Sequence, residues 1–425
     1  MPQANSYIRT LDPEDQLLVA CCAAAVRPGR PDLADVGPEI DLGKVDWRAF
    51  IVRARWHGVH GTVYPVVSAQ LRPAMPPEPW NWLRKLANGQ ARHNLAVAEA
   101  LADVAEAFAQ EGIVYTVLKG LPLAQKVYGT ITARRCRDID LLVRPMDFAR
   151  ARALLERLRY ESKHGLTASQ DRVWLRYAAD LPMGNTERGV LVELHHRFEM
   201  RPEVAANTCA ADLLAASRPS AVAGFEVPAP LGTELIPYLA WHGRKHAWFR
   251  LFWLLDIAAL ELRAGIDNRD AIWEAAARVR QERSLALAWW LSSALFGVPE
   301  ATARVSESEA SHVEGLGMQV LVNAFGPVRP PARHTLERRT HALRWEWNAS
   351  RGAAEKLGVA RDYVFSVQPD DIRALPLPRS LHWLYPVLRP VRIAARFGVA
   401  LARRVAGGLF GRRRGSAADA TVGEP

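Results

Sequence analysis

Cysteine is scarce in this 425-residue chain, which has only Cys21, Cys22, Cys136 and Cys209. No two of them have C-x-x-C spacing, which argues against a zinc site built on cysteine pairs, and four in so long a chain do not make a disulfide framework. Reduced thiols and cytoplasmic residence are the simplest expectation. Glycine-rich nucleotide loops are missing as well. There is no G-x-G-x-x-G, no Walker loop and no G-x-S-x-G, so dinucleotide, P-loop and serine-hydrolase chemistry find no support. The opening MPQANSYIRTLDPEDQ lacks the basic start and apolar core of a signal peptide, and the LLVACCAAAV that follows is too short to span a bilayer. No repeat of fixed period is visible.

Acidic residues are absent from one long stretch. Between Ile372 and Ala418 there is no Asp, Glu or Lys, but there are ten arginines. The net charge of the whole chain is +10, so the remainder is formally neutral and carries no general electrostatic case for a polyanion partner. On a helical wheel from Pro390, Arg389, Arg392, Arg396, Arg403 and Arg404 share one arc, and Val391, Ala394, Leu401, Val405 and Leu409 share the other. Such a cationic amphipathic helix suits an anionic membrane surface, here through residues 387–414, which would make the chain a peripheral membrane protein. The same pattern also fits a basic helix packed on the body, or a segment that binds RNA or another acidic partner.

The body falls into segments of different texture. Residues 1–95 read as a helical N-terminal region, with a buried helix over 13–26 behind the Asp12–Pro13 start signal. Residues 96–225 alternate helical and β-branched segments. Strands are expected at 113–118, 138–143 and 190–198, with short helices at LPLAQKVY and 146–160 between them. Residues 226–325 are helical again. A proline-containing linker or helical region covers 326–386, and the basic helix and its flexible end cover 387–425. The expected class is α+β, with a small mixed sheet flanked by helical N- and C-terminal regions.

The chemistry concentrates in CRDIDLLVRP, where Asp138 and Asp140 open an otherwise apolar strand. Side chains two apart in a strand share a face, about 7 Å apart along the chain. Paired carboxylates raise each other's pKa unless a cation lies between them. Magnesium takes oxygen ligands and is often held by one or two carboxylates plus substrate phosphates. Glu193 is a lone acid inside the apolar VLVELHH. If that strand pairs beside 138–143, the three acids could hold two metal ions, one for an attacking hydroxyl and one for the triphosphate. In VLKGLPLA a strand ends, Gly120 permits close backbone approach and a helix begins, so free N–H groups and Lys119 could meet phosphate.

LKG, a following YG, an arginine, RDIDLLV and VELHH together resemble the uncharacterised nucleotidyltransferase family of the polymerase-beta superfamily. That resemblance implies a polymerase-beta-like domain, Mg²⁺ or Mn²⁺ as cofactor and an NTP as substrate. It implies metal-ligand and catalytic roles for Asp138, Asp140 and Glu193, phosphate contact for Lys119 and Gly120, and a site role for Arg134, which is expected to help neutralise phosphate. WHGRKHAWFRLFWLLDIA resembles the family's helical region, including His242, His246, Arg250 and Asp256. The expected reaction is transfer of a nucleoside monophosphate to an unknown acceptor: a small molecule, glycan, lipid, protein or RNA. The serine of the superfamily's G-S turn is absent, and Gly120 stands eighteen positions before Asp138.

Plainer readings stand beside these. Asp138 and Asp140 could be a solvated strand end. His195 shares a strand face with Glu193, and it could enter the cleft on the acceptor side or simply satisfy a structural hydrogen bond. His242 and His246, at i and i+4, could form a polar helix face or, with Arg250, an acceptor pocket. The rival function is a non-catalytic nucleotide-binding or scaffold protein held at a membrane or partner by its tail.

Overall fold

The computed structural model describes residues 2–29, 31–36, 39–200, 203–299, 304–326 and 335–395. The helices are α1 (Pro2–Arg9), α2 (Pro13–Ala25), α3 (Trp47–Trp56), α4 (His60–Val66) and α5 (Pro77–Gln110). Then come β1 (Tyr115–Val117), α6 (Leu121–Tyr128), β2 (Asp138–Val143), α7 (Phe148–Arg157), β3 (Glu161–Ser162), α8 (Ala168–Trp174), β4 (Asp180–Asn185), β5 (Val190–His195) and α9 (Glu203–Ala216). The hairpin β6 (Arg218–Val222) and β7 (Phe225–Ala229) precedes α10 (Leu235–Lys245), α11 (Leu251–Leu262), α12 (Arg269–Arg278), α13 (Glu282–Phe296), α14 (Glu307–Phe325) and α15 (Thr335–Ala349). After these follow α16 (Gly352–Phe365), α17 (Pro369–Ala374) and a helix over 384–395. The chain is thus α+β, with a small mixed sheet among flanking helices.

The chain parts into two compact units, 1–163 with 179–349, and 164–178 with 350–425. In the first, a five-stranded sheet runs β1-β2-β5-β4-β3. Strands β2 and β5 are parallel and the other pairs antiparallel. Val190, Val192 and Leu194 of β5 are buried and alternate with half-buried positions, whereas every residue of β2 after Asp138 is buried, as in a strand covered on both faces. Helices α2, α10, α11 and α13 are apolar on most sides, and a continuous core joins them to α3 and α4. Helix α5 is 34 residues long and is a single helix, starting at Pro77 and Glu78.

The second unit packs Val173, Val367, Ile372 and Tyr385 together. For the described part of the basic helix it favours the packed reading. Arg389 is buried and its Nη1 lies 2.5 Å from Asp371 Oδ2, while Arg392 Nη1 lies 3.2 Å from Asp371 Oδ1. Arg389 and Arg392 are therefore turned toward a buried carboxylate, and Val387 and Val391 are exposed. A buried carboxylate needs a paired cation more than a surface arc does, and that demand decides the orientation. Arg396, Arg403 and Arg404 lie outside the described residues. Among the described residues, no helix is long and apolar enough to cross a membrane.

Candidate active site

Parallel pairing of β2 and β5 sets Asp140 opposite Glu193, Asp138 opposite Leu191 and Leu142 opposite His195. With a side-chain period of two, Asp138, Asp140, Glu193 and His195 all stand on one face of the sheet. One ligand atom from each of Asp140, Glu193 and His195 lies within 4.8 Å of the others. His195 Nε2 is 3.6 Å from Asp140 Oδ1 and 3.7 Å from Glu193 Oε2; it is buried and makes no hydrogen bond. The fold therefore brings together the three acids expected from sequence, and adds His195 as a near neighbour of two of them.

Lys119 enters the same cluster. The N–H of the preceding residue, Leu118, donates to the Asp140 carbonyl at 3.1 Å, which docks the strand-to-helix turn on β2. Lys119 Nζ donates a short hydrogen bond to Asp140 Oδ2 and lies 3.7 Å from Asp138 Oδ1. Gly120 follows with φ 77° and ψ −127°, a conformation open only to glycine, and it starts α6. Pro122 in the first turn of α6 has no N–H, so the helix start offers fewer phosphate donors than the sequence pattern promised.

The charges of the cluster lean on one another. Burial works against the Lys119 ammonium, but Asp140, Asp138 and Glu193 outweigh it and hold the group charged well above its ordinary range. Burial would likewise raise Asp140, but Lys119 and His195 together keep it ionised below the usual carboxylate range. Asp138 is raised, because burial and the neighbouring acids exceed what Lys119 returns. For His195, burial is overcome by Asp140, Glu193 and Asp180, which push it up to about 10. Asp180 faces His195 from β4, a strand with no clear β pattern of its own.

Arg134 does not belong to this cluster. Its Nε and Nη2 pair with Asp256 Oδ1 and Oδ2 at 2.7 and 2.6 Å, and both residues are buried. A bidentate, buried guanidinium is committed to its partner, so the expected phosphate contact is corrected to a structural clamp between the segment before β2 and α11. That segment is fixed further by α5. Asn94 Nδ2 donates to the carbonyls of Ile131 and Arg134 at 2.5 and 2.7 Å, and Gln90 Nε2 donates to Thr132 at 2.8 Å. The seventeen residues between Gly120 and Asp138 are thus α6 plus a pinned connection that delivers β2 in register.

His242 in the last turn of α10 and His246, which caps it, lie in the field of Lys119 and the site's acids. Their rings are 4.8 Å apart, and His246 stacks on Trp253 at 5.0 Å. Burial and the nearby Lys119 and Lys245 keep both imidazoles neutral, with His246 lowered to about 4. The end of α10 is set by the turn at Ala247 and Trp248, both at positive φ, and by Gly243, where a Cβ would stand 2.1 Å from the Trp248 ring. Arg250 is directed elsewhere. It lies over Trp56 at 5.8 Å and Phe249 at 5.3 Å, in the field of Arg135 and Arg137. Burial and those two arginines lower it to about 10. Burial, Arg137 and Arg55 lower Arg135 in the same way, while Asp138 pulls it up. Among the described residues no carboxylate forms an ion pair with Arg55, Arg135, Arg137 or Arg250. The RRCRDID spelling held that signal in Arg135 and Arg137.

None of the curated proteins matches this chain. The sequence model of one family, described as an uncharacterised nucleotidyltransferase, matches residues 43–297, which is 255 of the 425 and includes every residue of the cluster. The chain belongs to that uncharacterised nucleotidyltransferase family.

Proposed function

We propose that the chain is a divalent-metal-dependent enzyme that transfers a nucleoside monophosphate from an NTP to an acceptor. The observation that carries this reading is the direct pairing of Asp140 with Glu193 across parallel strands, with the unbonded His195 Nε2 facing both. Two carboxylates and an imidazole nitrogen within 4.8 Å are a donor set that fits a divalent cation, which would displace the proton that the carboxylates otherwise hold on His195. Bound there, the ion would supply Lewis acidity toward phosphate oxygens and lower the pKa of an attacking hydroxyl.

The chain's own residues have distinct tasks. Asp138, Asp140 and Glu193 supply the negative field that concentrates cations on this face. Lys119 neutralises developing phosphate charge from the turn before α6. Arg135, Arg137 and Arg250, which repel one another and lack carboxylate partners among the described residues, offer the triphosphate a cationic seat beside Asp138. Neutral His242 and His246 present imidazole nitrogens to the acceptor, and His242 Nδ1 is buried without a hydrogen bond. The acceptor oxygen would bond to the α-phosphorus as the bond to pyrophosphate breaks. Glu193, the more exposed acid, would take the acceptor's proton.

The test is transfer of α-labelled NTP to a panel of small molecules, glycans, lipids, proteins and RNA, with Mg²⁺ or Mn²⁺. Labelled product that disappears in Asp140→Asn supports the reading. Nucleotide binding without turnover on any acceptor would leave the non-catalytic alternative in its place.

A further inference from the structure

Resting on that proposed reading, we infer that the site takes one divalent ion, not two, in an Asp140–Glu193–His195 donor set, and that the Lys119 ammonium fills the second cation position. Two-metal sites place their cations about 3.5–4 Å apart and bridge them through a shared carboxylate. Asp140 has the bridging part here. Its Oδ2 accepts from Lys119 Nζ, while its Oδ1 faces His195 Nε2 at 3.6 Å and the Glu193 side. Asp138, which a two-metal arrangement would recruit, contributes to no such donor cluster; its Oδ1 faces Lys119 Nζ at 3.7 Å.

The lysine is not free to leave. Its side chain is 10% exposed, and its backbone is held on β2 through Leu118. Displacing it would strand a buried ammonium away from its carboxylates, which is costly. The imidazole nitrogen also shifts preference away from Mg²⁺, which favours oxygen ligands, and toward first-row transition ions, for which Mn²⁺ serves as the probe.

The experiment is a Mn²⁺ titration of the full chain without nucleotide, counting bound ions by loss of the free-ion EPR signal. Pulsed EPR would detect nitrogen coupled to the bound metal. The expectation is one ion per chain with nitrogen coupling. In His195→Gln that coupling should vanish and the affinity fall at least about tenfold. Lys119→Met, which keeps the stem and removes the charge, should bind a second ion. Two ions in the unaltered protein, or one ion with no nitrogen coupling, overturns the inference, and label transfer from NTP would then still stand on its own. No bound ion under conditions where the protein is folded removes both the inference and the metal dependence beneath it.

Discussion

Asp256→Leu is the perturbation whose outcome depends most on the reassignment of Arg134. The carboxylate is 1% exposed and accepts both guanidinium hydrogen bonds, at 2.6 and 2.7 Å. Removing one member of a buried pair leaves the other charge without a partner, which costs about 3–5 kcal/mol. About 4 kcal/mol corresponds to a roughly 1,000-fold loss in the folding equilibrium. Replacing both members with apolar residues of similar volume is often neutral or stabilising. Arg134→Met combined with Asp256→Leu should therefore recover most of what Asp256→Leu loses. Urea unfolding followed through tryptophans such as Trp248 and Trp253 measures all three proteins. A single variant within about 1 kcal/mol of the parent, or a double variant as unstable as the single, refutes the clamp. If the stable double variant binds NTP many-fold more weakly, Arg134 is a phosphate ligand after all.

Gly243→Ala should destabilise the first unit by about 1–3 kcal/mol, because the added methyl meets the rigid Trp248 ring. Altered tryptophan fluorescence and a lower urea midpoint would report it, and an unchanged midpoint would contradict the packing described. His57 is buried, and burial together with Arg53 and Arg250 lowers it to about 3. The unfolded chain binds that proton below about pH 6.5 and the folded chain does not, so the contribution is complete above pH 6.5 and is lost as pH falls toward 3. Stability should fall in that window with a slope contribution of up to about 1.4 kcal/mol per pH unit, and His57→Gln should flatten the curve. An identical slope in the variant would count against a buried neutral imidazole. Arg135→Ala and Arg250→Ala should each weaken NTP binding, more at low salt than at high salt. Equal NTP affinity at low salt would remove the cationic seat.

Much of the site was legible because its parts obey short-range rules. D-x-D puts both acids on one strand face in any register, and E-L-H does the same for Glu193 and His195. The apolar residues between them forced both segments into the sheet. That the two strands are parallel neighbours with Asp140 opposite Glu193 is a long-range fact, and no local pattern carries it. β4 escaped because Pro182 and Gly184 interrupt its β pattern, and it is held by pairing with β5. The β6–β7 hairpin turns on Ala223 and Gly224, both at positive φ, a weaker signal than Asn-Gly. Arg134 was misjudged because an arginine four positions before Asp138 looks the same in sequence whether it meets phosphate or Asp256, which is 122 residues away. The tail's wheel left its partner open for a related reason. Helical periodicity fixes which residues share a face, but Asp371 decides which way the face of Arg389 and Arg392 turns.

The most direct test of the account is metal-dependent label transfer from α-labelled NTP by the full chain beside its Asp140→Asn and Glu193→Gln variants. The account predicts product only with Mg²⁺ or Mn²⁺ present, and none above background from either folded variant. Undiminished transfer by Asp140→Asn, or transfer that persists in excess chelator, would contradict it.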